Sequence, residues 1–381
     1  MRLTEWSEKI LRGDTRAVAR AITAVENREA QGVELLKRLF SRTGRATLIG
    51  VTGAAGSGKS TLVDALVTNL RSKGHSVGVL AVDPTSPFTG GAMLGDRVRM
   101  QTHANDPGTY IRSMATRGSL GGLAAATLDA ALVLDASGKE FILIETVGVG
   151  QDEVEIARLA DVTLLLLVPN FGDDVQVLKA GVMEIADIFV VNKSDLDGTD
   201  RLEQDIRGVL SLRDDLGFAS GHGSSGDGSS GHGSSGHGSS GHGFSHAVNA
   251  ARSSGALAPE GQTTPTTRGR FGSESSHRPW RPPIVRTVAT RAEGVEDLFA
   301  AILQYLDFAR EHGALQQRRQ EHWRARLLAM LREQALERAV PQALTDGVLD
   351  RHAAAIAARE MDPYSVADQI LKQAGSPGES W

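Results

Sequence analysis

The chain has 381 residues, 40% of them hydrophobic and 23% charged, with a formal net charge of −5 at pH 7. That is enough for one large or two medium domains with a sizeable core, and the mild negative charge argues against a nucleic-acid-binding surface. Cysteine is absent, which excludes disulfides, thiolate metal sites and cysteine nucleophiles.

Residues 1–44 are expected to be helical: Val18, Ile22 and Val25 recur at helical spacing, as do Val33, Leu36 and Phe40. From Ala46 strands alternate with helices, the signature of a parallel sheet covered on both faces. The expected strands are Ala46–Val51, Ser76–Asp83, Tyr110–Ser113, Phe141–Glu145, Val162–Val168, Ile188–Asn192 and Ile284–Val288. The helices between them are Ser60–Arg71, Leu120–Leu134, Val154–Leu159, Val175–Ile185 and Arg201–Leu212. The tail from about Glu293 reads as nearly all helical, with a charged amphipathic run from Leu315 to Glu337. The start, Met1-Arg-Leu-Thr-Glu-Trp-Ser-Glu-Lys, lacks the apolar core of a signal peptide. The longest apolar run, Val162–Val168, is strand-sized rather than membrane-spanning. A cytoplasmic protein without a membrane contact is expected.

One segment breaks the alternation. From Ser220 to Gly243 a five-residue Gly-His/Asp-Gly-Ser-Ser unit repeats, carrying His222, Asp227, His232, His237 and His242, and Ser/Thr/Pro/Gly-rich sequence continues to about Ser276. Gly and Ser bury too little apolar surface to offset chain entropy, so residues 219–276 are expected to be a disordered insertion looped out between two strands. Loop-closure entropy grows only logarithmically with length, so a fold tolerates it. The histidines offer weak Ni²⁺, Zn²⁺ or Co²⁺ ligation, but no fixed geometry holds them, and a solvated spacer is the simpler reading.

The most informative stretch is Gly53-Ala-Ala-Gly56-Ser-Gly58-Lys59-Ser60, which is G-x-x-x-x-G-K-S placed after a strand and opening a helix. Glycines let such a loop wrap phosphate, with backbone N–H groups and the helix N-terminus facing the anion. Lys59 supplies a point charge to the β/γ-phosphates and the Ser60 hydroxyl is placed for Mg²⁺. The candidate nucleotide contacts are Gly53, Ala55, Gly56, Ser57, Gly58, Lys59, Ser60 and Thr61. The expected fold is α/β: a P-loop NTPase with a mostly parallel sheet covered by helices on both faces, plus N- and C-terminal helical extensions. Its expected parts are an N-terminal helical extension (1–44), a nucleotide domain (45–312) interrupted by the insertion, and a C-terminal helical arm (313–381).

Asn192-Lys193-Ser194-Asp195 follows the strand Ile188–Val191. A strand-end carboxylate at Asp195 accepts both the N1–H and the N2 amino hydrogens of guanine, a donor pair that adenine lacks. Asn192 is expected to tie this loop to the phosphate loop, and the Lys193 stem to cover the base. Hard oxygen ligands for a metal near the γ-phosphate are offered by Asp83, Asp96 and Glu145, two of them at the carboxyl ends of strands, where α/β sheets bind ligands. Gly148 lets a backbone N–H approach the γ-phosphate. Ras-like GTPases place a water-orienting glutamine directly after that glycine; here the position is Val149. Slow intrinsic hydrolysis, completed by a partner, is therefore expected. Lys59, Glu145, Asp96 and Gln151 are the candidate catalytic residues, the last two for positioning water.

Taken in order, these residues resemble the GTPases associated with methylmalonyl-CoA mutase, the MeaB/ArgK type that includes the human methylmalonic aciduria type A protein. The most specific matches are Val82-Asp-Pro-Thr-Ser-Pro87, Gly90-Gly-Ala-Met-Leu-Gly-Asp-Arg-Val-Arg-Met100, Ile111-Arg-Ser-Met-Ala-Thr-Arg-Gly118, Glu145-Thr-Val-Gly-Val-Gly-Gln151 and Trp280-Arg-Pro-Pro283. The resemblance implies Mg²⁺ held through Ser60 with help from Asp83, Asp96 and Glu145. It also implies a further switch segment, Pro169-Asn-Phe-Gly-Asp-Asp-Val-Gln176 and Lys179, in which Asp173, Asp174, Gln176 and Lys179 report nucleotide state to a mutase. It implies a C-terminal arm that mediates homodimerisation, including Asp362-Pro-Tyr-Ser-Val-Ala-Asp368, and a guanine-supporting loop, Thr287-Val-Ala-Thr290, where the usual Ser-Ala becomes Ala289-Thr290. The implied function is a GTP-binding and GTP-hydrolysing chaperone of a coenzyme-B12-dependent acyl-CoA mutase, gating adenosylcobalamin loading and protecting or reactivating the mutase. The histidine-bearing insertion departs from the family. The alternative, a nickel- or cobalt-delivery GTPase, meets the objection that such sites generally involve cysteine.

Overall fold

Short runs rich in Val, Ile and Leu, too brief for helices and apolar at successive positions, carry the sheet. In the computed structural model, which describes residues 2–83, 101–103, 105–115, 122–146, 159–170, 185–215, 280–344, 348–357, 361–362 and 365–366, these runs are β1 (Thr47–Gly53), β2 (Val77–Asp83), β3 (Thr109–Ala115), β4 (Phe141–Thr146), β5 (Val162–Leu167), β6 (Ile188–Asn192) and β7 (Ile284–Thr287). They form one seven-stranded sheet in the order β3-β2-β4-β1-β5-β6-β7, with every neighbouring pair parallel. All positions of β4, β5 and β6 are buried, as a sheet covered on both faces requires. The polarity of the chain thus collects all strand C-termini along one edge.

Side chains alternate between the faces. Val162, Leu164 and Leu166 of β5 join α4 (Lys59–Ser72) and a later helix, Val295–Glu311, in one core. On the opposite face Leu165 and Leu167 pack with Phe189, Val191 and the helix Thr199–Asp215. Further along that second face, Leu80, Val82, Ile142 and Ile144 meet the helix Gly122–Ala136 and the three N-terminal helices. In chain order the helices are α1 (Leu3–Leu11), α2 (Thr15–Glu26), α3 (Ala30–Leu39), α4, α5 (Gly122–Ala136), α6 (Thr199–Asp215), α7 (Val295–Glu311), α8 (Ala314–Leu344) and α9 (Val348–Ala357). The expected helices over 154–159 and 175–185, and the insertion at 219–276, lie outside the described residues apart from Leu159 and Ile185.

The N-terminal helices confirm one expected stripe and correct another. Asp14 caps α2 by accepting from the Ala17 amide at 2.7 Å, and Val18, Ile22 and Val25 are buried. On α3, however, the inward residues are Leu35 and Leu39, whereas Val33 and Phe40 are 46% and 51% exposed. Gly32 decides this rotation: a Cβ there would stand 2.8 Å from the Ala24 carbonyl carbon, so α3 presses its backbone onto α2 and turns the 35/39 face inward.

Arg318 and Arg319 dock α8 against the other end of the sheet. Arg318 donates to both carboxylate oxygens of Asp187 at 2.8 and 2.9 Å, and Arg319 to both of Asp161 at 2.8 Å. Each aspartate immediately precedes a strand and also accepts a backbone N–H from its neighbour, Thr163 for Asp187 (2.8 Å) and Leu48 for Asp161 (3.0 Å). These bidentate, charge-assisted bonds fix strand register and the direction of α8 together.

Candidate nucleotide-binding site

The strand C-termini carry the site. β1 ends at Gly53 and the chain turns through residues 54–58 into α4, whose N-cap is Gly58 at φ +92°. A Cβ at Gly58 would collide with the Asn192 side-chain nitrogen, so glycine is needed both for the left-handed turn and for the close approach to β6. Ala55 and Gly56 are exposed at the loop crest, while Ser57, Lys59 and Ser60 are buried. Lys59 Nζ donates to the carbonyls of Gly53 (2.8 Å) and Ala54 (2.9 Å), curling over the loop. Ser60 Oγ donates to Glu145 Oε1 at 2.6 Å. The parallel register sets Glu145 beside Val51, just before the loop.

Asn192, 2% exposed at the end of β6, joins three segments. Its Nδ2 donates to the Ser57 carbonyl at 2.8 Å, and its Oδ1 accepts from Thr287 Oγ1 (3.1 Å) and the Ala289 amide (3.2 Å). Lys193, at φ +56°, donates to the Gly56 carbonyl at 3.0 Å, so its stem spans from the β6 loop to the phosphate loop. Ser194 N donates to Thr287 O at 3.1 Å, leaving Asp195 as a 40% exposed carboxylate on a loop held from two sides. The arrangement offers a helix N-terminus and a lysine for phosphate at one end and a carboxylate for a base edge at the other. Between them, the Ser60 hydroxyl and the Glu145 carboxylate are hard oxygen donors of the kind Mg²⁺ takes, so the residues present fit that ion.

The family model for the methylmalonyl-CoA mutase-associated GTPase MeaB matches residues 18–343. The chain belongs to the MeaB family. It is 40% identical over 371 residues to a Pyrococcus abyssi protein named as a GTPase, covering 97% of this chain and 96% of that one. The methylmalonic aciduria type A homolog of Caenorhabditis elegans is 40% identical over 205 residues, covering 50% of this chain and 51% of that one. Among solved structures, the LAO/AO transport system kinase superposes with a TM-score of 0.59 at 23% identity, covering 97% of this chain and 96% of that one, a likeness of fold. The parallel sheet with its strand–loop–helix motif is thus the P-loop NTPase fold, and the protein is a GTPase of the MeaB family.

Of the residues singled out in the MeaB-family sequence, the structure gathers Gly53, Ala55, Gly56, Ser57, Gly58, Lys59, Ser60, Thr61, Glu145, Asn192, Lys193, Asp195, Ala289 and Thr290 along one edge of the sheet. Asp83 closes β2, with its side chain outside the described residues. Asp96, Gly148, Gln151, Asp173, Asp174, Gln176 and Lys179 also lie outside them. Two contacts escaped the sequence reading. Asn170, at φ +62°, donates to the Asp197 carbonyl at 2.6 Å, bracing the base loop from the end of β5. Arg291 stands beside Asp195 with its Nη1 3.6 Å from Oδ2. An Asn after proline signals a left-handed turn, but no spacing rule marks Arg291.

Proposed function

We propose that this MeaB-family GTPase is a chaperone of a coenzyme-B12-dependent acyl-CoA mutase of the methylmalonyl-CoA mutase type, gating adenosylcobalamin loading and protecting or reactivating the enzyme. The observation that carries the reading is the match of residues 18–343 to a family defined by association with that mutase. The site geometry supports it, because Asn192 links the phosphate loop to both base-side loops, so that nucleotide occupancy bears on all three at once.

In this reading the phosphate loop and Lys59 hold the triphosphate, Asp195 reads guanine, and Ser60 and Glu145 hold Mg²⁺ together with Asp83 and Asp96. When bound, the ion neutralises charge developing on the phosphates. Val149, in place of a polar residue, supports slow hydrolysis by the protein alone, with Gln151 or Asp96 or the partner orienting water. The segment containing Asp173, Asp174, Gln176 and Lys179 reports the nucleotide state to the mutase. The C-terminal arm, residues 313–381, forms a homodimer; exposed Leu327 and Leu331 on α8, at 57% and 54%, favour an apolar contact there. The protein works in the cytoplasm beside its client. The test is single-turnover GTP hydrolysis with and without the mutase, paired with a pull-down from native extract using GTP-locked protein. Co-purification of a cobalamin-dependent mutase and a faster turnover in its presence are expected; the absence of both would sink the chaperone reading while leaving the GTPase intact.

A further inference from the structure

We propose that Arg291 is a specificity-determining positioning residue that holds the Asp195 carboxylate for the two N–H donors of guanine. The inference rests on the reading of Asp195 as the base-recognising group. Arg291 ends a 3₁₀ turn, Ala289–Arg291, that directly follows β7. That turn is fixed by its own backbone: Arg291 N donates to Val288 O at 2.9 Å, and Val288 and Glu293 exchange hydrogen bonds in both directions at 3.1 and 3.3 Å. It is also fixed to the base loop, through the Ala289 amide on Asn192 Oδ1 at 3.2 Å. The Arg291 guanidinium is therefore presented from a rigid frame.

Its two carboxylate neighbours divide its fork between them. Nε meets Glu293 Oε1 at 2.8 Å, which pins the inner side, and Nη1 faces Asp195 Oδ2 at 3.6 Å. The latter distance is an ion pair rather than a hydrogen bond, so it orients the charge without using up a lone pair. An ionised carboxylate has two oxygens with about four acceptor sites. Guanine takes one site on each oxygen, which leaves Oδ2 acceptor capacity facing Arg291 Nη1. Orienting an acceptor pair in advance lowers the ordering cost of binding, and a site that pairs both donors discriminates against a base lacking one. Inosine lacks the 2-amino group, so it reports on this geometry while sharing every phosphate contact.

The experiment uses the full chain and measures affinities for GDP and IDP by calorimetry. Asp195→Asn comes first and is expected to cost GDP at least tenfold; unchanged GDP binding there would overturn the base-reading assignment itself. With that loss in hand, Arg291→Ala is expected to narrow the GDP-to-IDP affinity ratio about two- to fivefold, the range of an exposed ion pair. Arg291→Lys restores most of the ratio, and Arg291→Ala adds nothing in the Asp195→Asn background. Arg291→Met, which keeps the stem, replaces the alanine variant if that one does not fold. An unchanged GDP-to-IDP ratio, whether or not both affinities fall together, would reduce Arg291 to a structural pin of the turn and overturn the proposal.

Discussion

The two edges of the sheet use the same kinds of charged side chain to opposite ends. Where strands begin, Asp161 and Asp187 each accept a neighbouring strand's amide and a bidentate arginine from α8. Where strands finish, Lys59 and Lys193 rest on the neutral carbonyls of Gly53, Ala54 and Gly56. A carboxylate–guanidinium pair with both forks engaged is a closed contact, stable but indifferent to ligands. A lysine on carbonyls is preorganised, and a phosphate offers it a stronger, charge-assisted bond. One edge is built to hold the arm, the other to exchange partners.

The contrast breaks most visibly at Asp187. Asp187→Ala leaves Arg318, only 15% exposed, without its bidentate acceptor and frees the Thr163 amide. Urea unfolding should show a loss of about 3–5 kcal/mol, with GDP affinity unchanged below the transition. At the opposite edge Lys59→Ala should weaken GDP binding on the order of a hundredfold, while stability moves by about 1 kcal/mol, since its bonds to Gly53 and Ala54 are to neutral carbonyls. Reversal of that pattern, stability lost at Lys59 and binding lost at Asp187, would dissolve the distinction. Asn192→Ala lies between the two, since it removes a donor and an acceptor shared by three buried segments. It should cost about 1–3 kcal/mol of stability and also reduce GDP affinity, so that both measurements move together.

The same division explains what the sequence disclosed. The phosphate loop is contiguous, so strand, glycines and helix announce it within a dozen residues, and Asn192-Lys193-Ser194-Asp195 follows an unmistakable buried strand. The tie from Asn192 to Ser57 was legible because the motif implies its partner. The arm contacts were not: Arg318 and Asp187 are 131 residues apart, and an Arg-Arg pair on a charged helix looks like a solvated face. A faint signal exists in the repeated Ala-Asp before an apolar strand, Ala160-Asp161-Val162 and Ala186-Asp187-Ile188. On α3 two apolar sets, Val33/Leu36/Phe40 and Leu35/Leu39, share helical spacing, and only the backbone contact at Gly32 chooses between them. Arg291 was hidden for a similar reason, since its charge faces Asp195 across a turn rather than along a motif.

The smallest effect sharpens the comparison at the edge where strands begin. Arg71, at the end of α4, donates to Asp106 ahead of β3, with Nη2 2.9 Å from Oδ1, while Asp106 also accepts from the Gly108 amide and Thr109 Oγ1 at 2.9 Å each. The Arg71 guanidinium first, then those two donors, hold the Asp106 carboxyl well below the usual carboxylate range, outweighing its partial burial. A depressed folded-state value means the stabilisation is fully present above the unfolded value of about 4 and drains away as pH falls towards the folded one. Asp106→Asn should therefore sit about 0.5–1 kcal/mol below the parent at neutral pH, and the gap should shrink as unfolding is repeated at successively lower pH under 4. A gap that stayed constant with acid would assign Asp106 a role of shape rather than charge. It would also show that closure of this edge does not depend on ionised pairs throughout.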